Sequence, residues 1–198
     1  MPESKVSIVN RALGHIRYKN RMQAIGENSP EGRQAALWYD NDRRQVLEHC
    51  NWSFARRRVA LALHDEDPPD EWGYRYIYPA DCVALRHLVN PNGRNADMVP
   101  FRLEVSEDGE QNTILTDLEG AYGVYTFDQD TPALYTGLFV NMFSHLLAHH
   151  MAGPLTNDQK IVEGQLKLYN YWARIAEAAN QNEGVDDLPK DAPWISGR

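Results

Sequence analysis

The sequence predicts an α+β fold on three observations. Apolar residues recur at helical spacing near both ends, the period drops to two between residues 52 and 129, and turn residues rather than crossover helices separate the alternating pieces. The simplest architecture is a helical bundle made by an N-terminal pair (1–51) and a C-terminal pair (130–182), with a small antiparallel β-sheet inserted between them and an extended tail over 183–198. A chain of 198 residues can bury roughly 70% of its unfolded surface, enough for a core of this kind.

Each element has a local reason. Ser4 is placed to N-cap a first helix with Val6, Val9, Leu13 and Ile16 at helical spacing, and the polar, basic stretch RYKNRMQAIGENS follows as a loop. Ser29-Pro30-Glu31 combines a cap, a proline at the first helical position and an acid in the first turn. That second helix runs to about His49 and buries Ala36, Tyr39, Val46, Leu47 and Cys50. Strand-like pieces then follow at Arg56–Leu63, at Tyr74, Tyr76 and Tyr78, at Val83–Val89, at Phe101-Leu103-Val105 and at Tyr122-Val124. Pro68-Pro69, Pro79, Asn92-Gly93, Asp108-Gly109 and Gly120 mark the turns, so four to six antiparallel strands are expected. Thr131-Pro132 opens a third helix along Leu134, Leu138, Met142, Leu146 and Met151, and Gly153-Pro154 closes it. Thr156-Asn157-Asp158-Gln159 reads as a capping box for a fourth, with Ile161, Val162, Leu168, Tyr169, Trp172 and Ile175 inside. After Ala179 the composition cannot build a core, which leaves Trp194-Ile195 as an apolar pair on an acidic tail, suited to a pocket on another protein.

Charge narrows the function classes. The net charge is −8, yet residues 1–58 hold 11 basic against 6 acidic side chains and the remainder 9 against 22. So acidic a chain is poorly suited to non-specific DNA binding, which draws its affinity from Lys and Arg displacing counterions. No apolar run approaches the ~20 residues of a membrane span and no signal-peptide core stands at the N-terminus, so a cytoplasmic, membrane-free protein is expected. Cys50 and Cys82 are too few for a disulfide framework and are read as reduced thiols.

Chemical motifs are sparse. His145, His149 and His150 include an i,i+4 pair that could share a metal, which makes a metal-dependent hydrolase the alternative reading. Leu146 stands where a metalloprotease helix carries glutamate, however, and histidines on a wet helix face or at a subunit contact are the simpler expectation. Nucleotide-binding glycine loops and nucleophile elbows are missing from the sequence, so no catalytic residue and no cofactor are assigned. In the triplet Arg56-Arg57-Arg58 only Arg56 and Arg58 share a strand face, and protein salt bridges suit them better than phosphate; Arg57, among Ala55, Val59 and Leu61, requires a carboxylate partner. Tyr74, Tyr76 and Tyr78 form a ladder better suited to packing than to base stacking.

Several segments, in order along nearly the whole chain, resemble one family. They are Asn10-Arg11-Ala12-Leu13-Gly14, Trp52-Ser53-Phe54-Ala55 with the arginines behind it, Trp72-Gly73-Tyr74 leading to Pro79-Ala80-Asp81-Cys82, Leu138-Phe139, Gly153-Pro154-Leu155-Thr156 and Pro193-Trp194-Ile195. The set resembles the tail tubular protein A family, the head-to-tail adaptor or connector proteins of short-tailed bacteriophages. The resemblance implies a non-enzymatic virion protein of the tail neck, assembled in the host cytoplasm as a twelve-copy ring between the portal protein and the tail nozzle, tubular protein B. Double-stranded DNA would pass through the bore during ejection without specific binding. Portal attachment would fall to the tail, with Leu188, Pro193, Trp194 and Ile195 as contacts, and the subunit interface to Arg56, Arg58, Trp72, Tyr74 and Tyr76.

Overall fold

The computed structural model describes residues 3–93 and 98–182. The fold is α+β: the described residues form four α-helices and six strands arranged as two three-stranded antiparallel sheets. Helices α1 (Lys5–His15) and α2 (Pro30–His49) precede strands β1 (Arg56–Ala60), β2 (Tyr74–Ile77), β3 (Cys82–Leu88), β4 (Arg102–Val105), β5 (Asn112–Thr116) and β6 (Tyr122–Phe127); α3 (Gly137–Thr156) and α4 (Gln159–Asn182) follow.

Helix α3 is the centre of the bundle and packs against α1, α2 and α4. It is apolar nearly all round, with Phe139, Val140, Met142, Phe143, Leu146, Leu147, Ala148 and Met151 all buried, as a helix without a wet face must be. The other helices each turn one stripe toward it. On α1 the stripe is Ile8, Val9, Ala12 and Leu13, so Ile8 takes the inner place expected of Val6, which is only half-buried. On α2 it is Ala35, Tyr39, Val46 and Leu47; Ala36 lies one residue round the helix and is exposed.

The caps follow the sequence in some places and depart from it in others. Ser4 and Ser7 form a reciprocal box on α1, and the Ser29 side chain accepts from the Gly32 amide on α2. Thr131-Pro132 opens only a short 3₁₀ turn (Pro132–Leu134), and α3 starts later on Thr136, which leaves Leu134 outside the stripe and exposed. Pro154 does not end α3 either. It falls so near the C-terminus that only one bond is lost, and the Thr156 hydroxyl donates to Ala152 O at 2.7 Å before Asn157 closes the helix in the left-handed region, φ 52°. The Thr156 hydroxyl thus serves both helices, since its oxygen also accepts from the Asp158 amide at 3.3 Å, and the first turn of α4 is held by Asp158, whose carboxylate accepts from the Lys160 amide at 2.9 Å.

In the β region the order is β1-β6-β3 in one sheet and β2-β5-β4 in the other. The chain leaving β1 joins them: Leu63 bridges Tyr76, Ala62 O accepts from the Ile77 amide and the His64 amide donates to Arg75 O. A second, smaller core of Leu61, Tyr76, Leu88, Ile114 and Ala121 fills the space between the sheets, separate from the bundle core. Gly123 on β6 lies directly beneath Leu61 and Leu85, whose methyl carbons would stand 3.1 and 3.3 Å from a Cβ there.

Glycines within the helices give a paired test. A Cβ on Gly32 would lie 2.3 Å from the backbone oxygen of Glu27, whereas one on Gly164 meets nothing within 4 Å. Gly32→Ala should lower the unfolding free energy by about 1–3 kcal/mol despite alanine's better helix propensity, and Gly164→Ala should raise it by about 0.5–1 kcal/mol, both read from urea denaturation midpoints.

Candidate assembly surfaces and buried polar sites

The arginine-bearing strand β1 lies at the edge of its sheet. Arg57 shares a face with Tyr125; its guanidinium stacks over Phe127 at 3.9 Å and pairs with Asp81, which also accepts from the Tyr125 hydroxyl at 2.9 Å. The carboxylate that this position requires therefore comes from the same chain. Burial, with Asp81 beside it, pushes the Tyr125 phenol up to about 12. Arg56 and Arg58 project from the opposite face. Arg56 Nε donates to Asn51 Oδ1 at 3.3 Å and Arg58 lies 6.0 Å from the Tyr122 ring; neither has a carboxylate partner among the described residues. Partial burial, then the charges of Arg56 and Arg58, hold the His87 imidazole below its ordinary range, which marks all three as one basic strip.

The other residues expected at a subunit interface divide. Tyr76 is 1% exposed and belongs to the second core; its hydroxyl donates to Leu118 O at 2.8 Å, so this side chain is used up within the chain. The reason is register: Tyr76 pairs with Ile114 on the sheet face that turns inward. Tyr74 and Trp72 are half-buried, and Tyr74 stacks on Tyr76 at 6.2 Å. Leu188, Pro193, Trp194 and Ile195 lie outside the described residues.

Strand β4 forms the far edge of the second sheet, with Leu103 48% and Val105 56% exposed. Beside it runs a groove of about 310 Å³ lined by Tyr78, Cys82, Val83, Leu103 and Val105. The hairpin that follows carries Glu107, Asp108 and Glu110, and Gly109 makes its turn at φ 77°. Asp108 accepts from the Ser106 hydroxyl at 2.5 Å and the Glu110 amide at 2.9 Å, which holds its carboxyl below the usual range.

Two arginines, the buried Arg43 and the half-buried Arg86, neither marked by any sequence motif, join the bundle to the sheets. Arg43 on α2 is 3% exposed, pairs with Asp128 and donates to Gln129 O at 2.8 Å; Arg44 reaches the other Asp128 oxygen at 2.8 Å. Lys5 on α1 holds Asp130 at 2.6 Å, so the segment after β6 is tied to both N-terminal helices. Arg86 on β3 sends one nitrogen to the carbonyls of Leu47, Glu48 and Cys50, at 3.1, 2.8 and 2.7 Å. A strand thus supplies the cation that the negative end of α2 favours.

The three histidines of α3 are engaged within the bundle, His145 buried and His149 and His150 half-buried. His145 Nδ1 meets Gln165 Oε1 of α4 at 2.8 Å and its ring stacks on His15 of α1 at 4.0 Å. His149 Nδ1 meets Val162 O of α4 at 3.0 Å. His150 stacks on Trp38 at 4.4 Å and bonds the buried Asp42 of α2 at 2.9 Å. Each histidine thus links α3 to its neighbours, and among the described residues no three His, Cys, Asp or Glu side chains are grouped as metal ligands. Cys50 and Cys82 are both free, and burial pushes each thiol up to about 11, well above the thiolate range of a nucleophile.

Among the described residues no helix is long and apolar enough to cross a membrane. No protein-family model matches the chain, and no curated protein is significantly similar to it.

Two outcomes are expected from these sites. Arg86→Met leaves three helix-end carbonyls without their cation and should destabilise the fold by about 2–4 kcal/mol in urea titrations. Burial, then His145 and Arg11, hold His15 at about 4, against an ordinary 6.5. The unfolded chain therefore takes up the extra proton first, so stability is complete above the ordinary value and falls as pH drops toward the folded one. His15→Asn should flatten that slope in denaturation midpoints measured between pH 6.5 and 4.

Proposed function

We propose that this chain is a structural adaptor of a short-tailed phage virion, forming a ring of about twelve copies between portal and tail nozzle and leaving a channel for DNA. The observation that carries the reading is the contrast between interior and surface. The polar side chains with catalytic potential are committed to holding helices together, whereas Arg56 and Arg58, without a carboxylate partner among the described residues, and the exposed apolar Leu103 and Val105 lie on open strand edges. Such edges are a liability on a solitary subunit and become interfaces in an assembly.

The segments that carry the family resemblance also do architectural work here. Asn10 brackets Met22 with bonds of 2.8 Å to both its carbonyl and its amide, closing the loop after α1. Trp52 Nε1 donates to Val46 O at 2.8 Å, and Phe54 packs against Tyr135 and Phe139 where the bundle meets the sheets. Asp81 anchors Arg57 and Tyr125. The net charge of −8 fits a channel that does not grip phosphate, since tight binding would retard passage.

The test is to mix the purified full chain with the portal of the same phage and image the product. Twelve-fold rings seated on the portal are expected, and the chain truncated before Glu183 should fold with an unchanged denaturation midpoint yet fail to attach. A subunit that stays monomeric and ignores portal would remove this reading.

A further inference from the structure

Resting on the ring reading, we propose that neighbouring copies join by β-strand addition, the open edge of β1 in one copy pairing antiparallel with the open edge of β4 in the next. Among the described residues both edges have main chain without a partner, at Arg58 and Ala60 on β1 and at Leu103 and Val105 on β4, as the ladders show. The Leu61 amide bonds Ala121 O, so by alternation Val59 and Arg57 face β6 and the backbones of Arg58 and Ala60 face outward. Ala62 and His64, next in that alternation, use the same side to bond β2. On the other sheet the Ser106 amide bonds Gln111 O, so Glu104 and Arg102 face β5 and the backbones of Leu103 and Val105 face outward.

Two such edges match only in certain registers. Setting Ala60 opposite Leu103 places Arg58 opposite Val105; beyond them Arg56 comes to Glu107 at the start of the acidic hairpin, where the Glu107 amide is held by the Glu66 carboxylate and the contact is therefore between side chains. Charge also selects the partner. Three consecutive arginines deter β1 from pairing with another β1, since like charges across a ladder repel. They do not deter an edge flanked by Glu104, Glu107 and Glu110. The contact is therefore between unlike edges, and such a contact generates rings or filaments rather than a two-fold dimer. In that register Leu103 lies beside Ala60 and Val105 beside the aliphatic stem of Arg58, on the face that borders the groove including Val83.

Disulfide trapping tests this in the full chain carrying Cys82→Ser, with Ala60→Cys and Leu103→Cys introduced singly or together. Residues directly opposite in such a ladder have Cα atoms about 5.5 Å apart, within disulfide range. Under mild oxidation, with portal present, the double variant should give a ladder of covalent multimers and each single variant none; mixing the two single variants should give dimers only. Arg56→Glu should sharply reduce the ladder, and adding Glu107→Arg to the same chain should restore it. Rings that form on portal without any cross-link would overturn the β1–β4 contact and leave the ring intact. Equal cross-linking of a single variant to itself would show like edges meeting and overturn the contact too. Loss of both rings and cross-links would remove the ring reading as well.

Discussion

The structure depends on one constraint, the burial of α3 on every side. A helix carrying Phe139, Met142, Phe143, Leu146, Leu147 and Met151 has nowhere to turn toward water, so it must be enclosed by other elements. α4 supplies one wall by folding straight back after Asn157, but the remaining walls come from α1 and α2, at the other end of the sequence. Closing that distance requires the intervening residues to leave the bundle and return. The β region is that excursion, and its own core of Leu61, Tyr76 and Ile114 lets it hold its shape away from the helices.

The same enclosure explains the histidines. On an amphipathic surface helix, His145, His149 and His150 would be free to bind a metal or a partner. On this helix the buried His145 must find an internal partner or bear the cost of an unsatisfied buried group, and the half-buried His149 and His150 find theirs on the neighbouring helices too. Gln165, the Val162 carbonyl and Asp42 provide those partners, from α4 and α2. Polar residues within an apolar interface also restrict how helices slide against one another, since a shifted register would strand them.

Where the excursion leaves and rejoins the bundle, ionic joints stand beside the apolar packing of Trp52 and Phe54 on Phe139. Arg86 grips the carbonyl end of α2 from a strand, and Arg43 grips Asp128 just past the last strand, so the two junctions lie on one helix. Both guanidiniums have carbonyls or carboxylates as partners, which offsets the desolvation of the buried Arg43 and the half-buried Arg86. The consequence for function is a stiff connection between helices and sheets, with open strand edges carried at a fixed position relative to the bundle. The adaptor role proposed above would use that connection, with the exposed edges of β1 and β4 as the places where neighbouring copies would hold.

Much of this was legible in the sequence because it is local. Ser4 and Ser29 cap by their own geometry, helical and strand periods differ wherever one face is buried, and Asp108-Gly109 can make little but a turn. Even the need of Arg57 for a carboxylate follows from a charge placed among apolar neighbours. Which carboxylate answers it does not, because Asp81 comes from a distant turn and is brought close only by the fold. The inward turn of Tyr76, the division of one expected sheet into two, and the roles of Arg43 and Arg86 are likewise decided by packing between segments far apart in sequence. Position along the chain determines which backbone groups need partners; only the tertiary structure determines which side chains arrive to meet them.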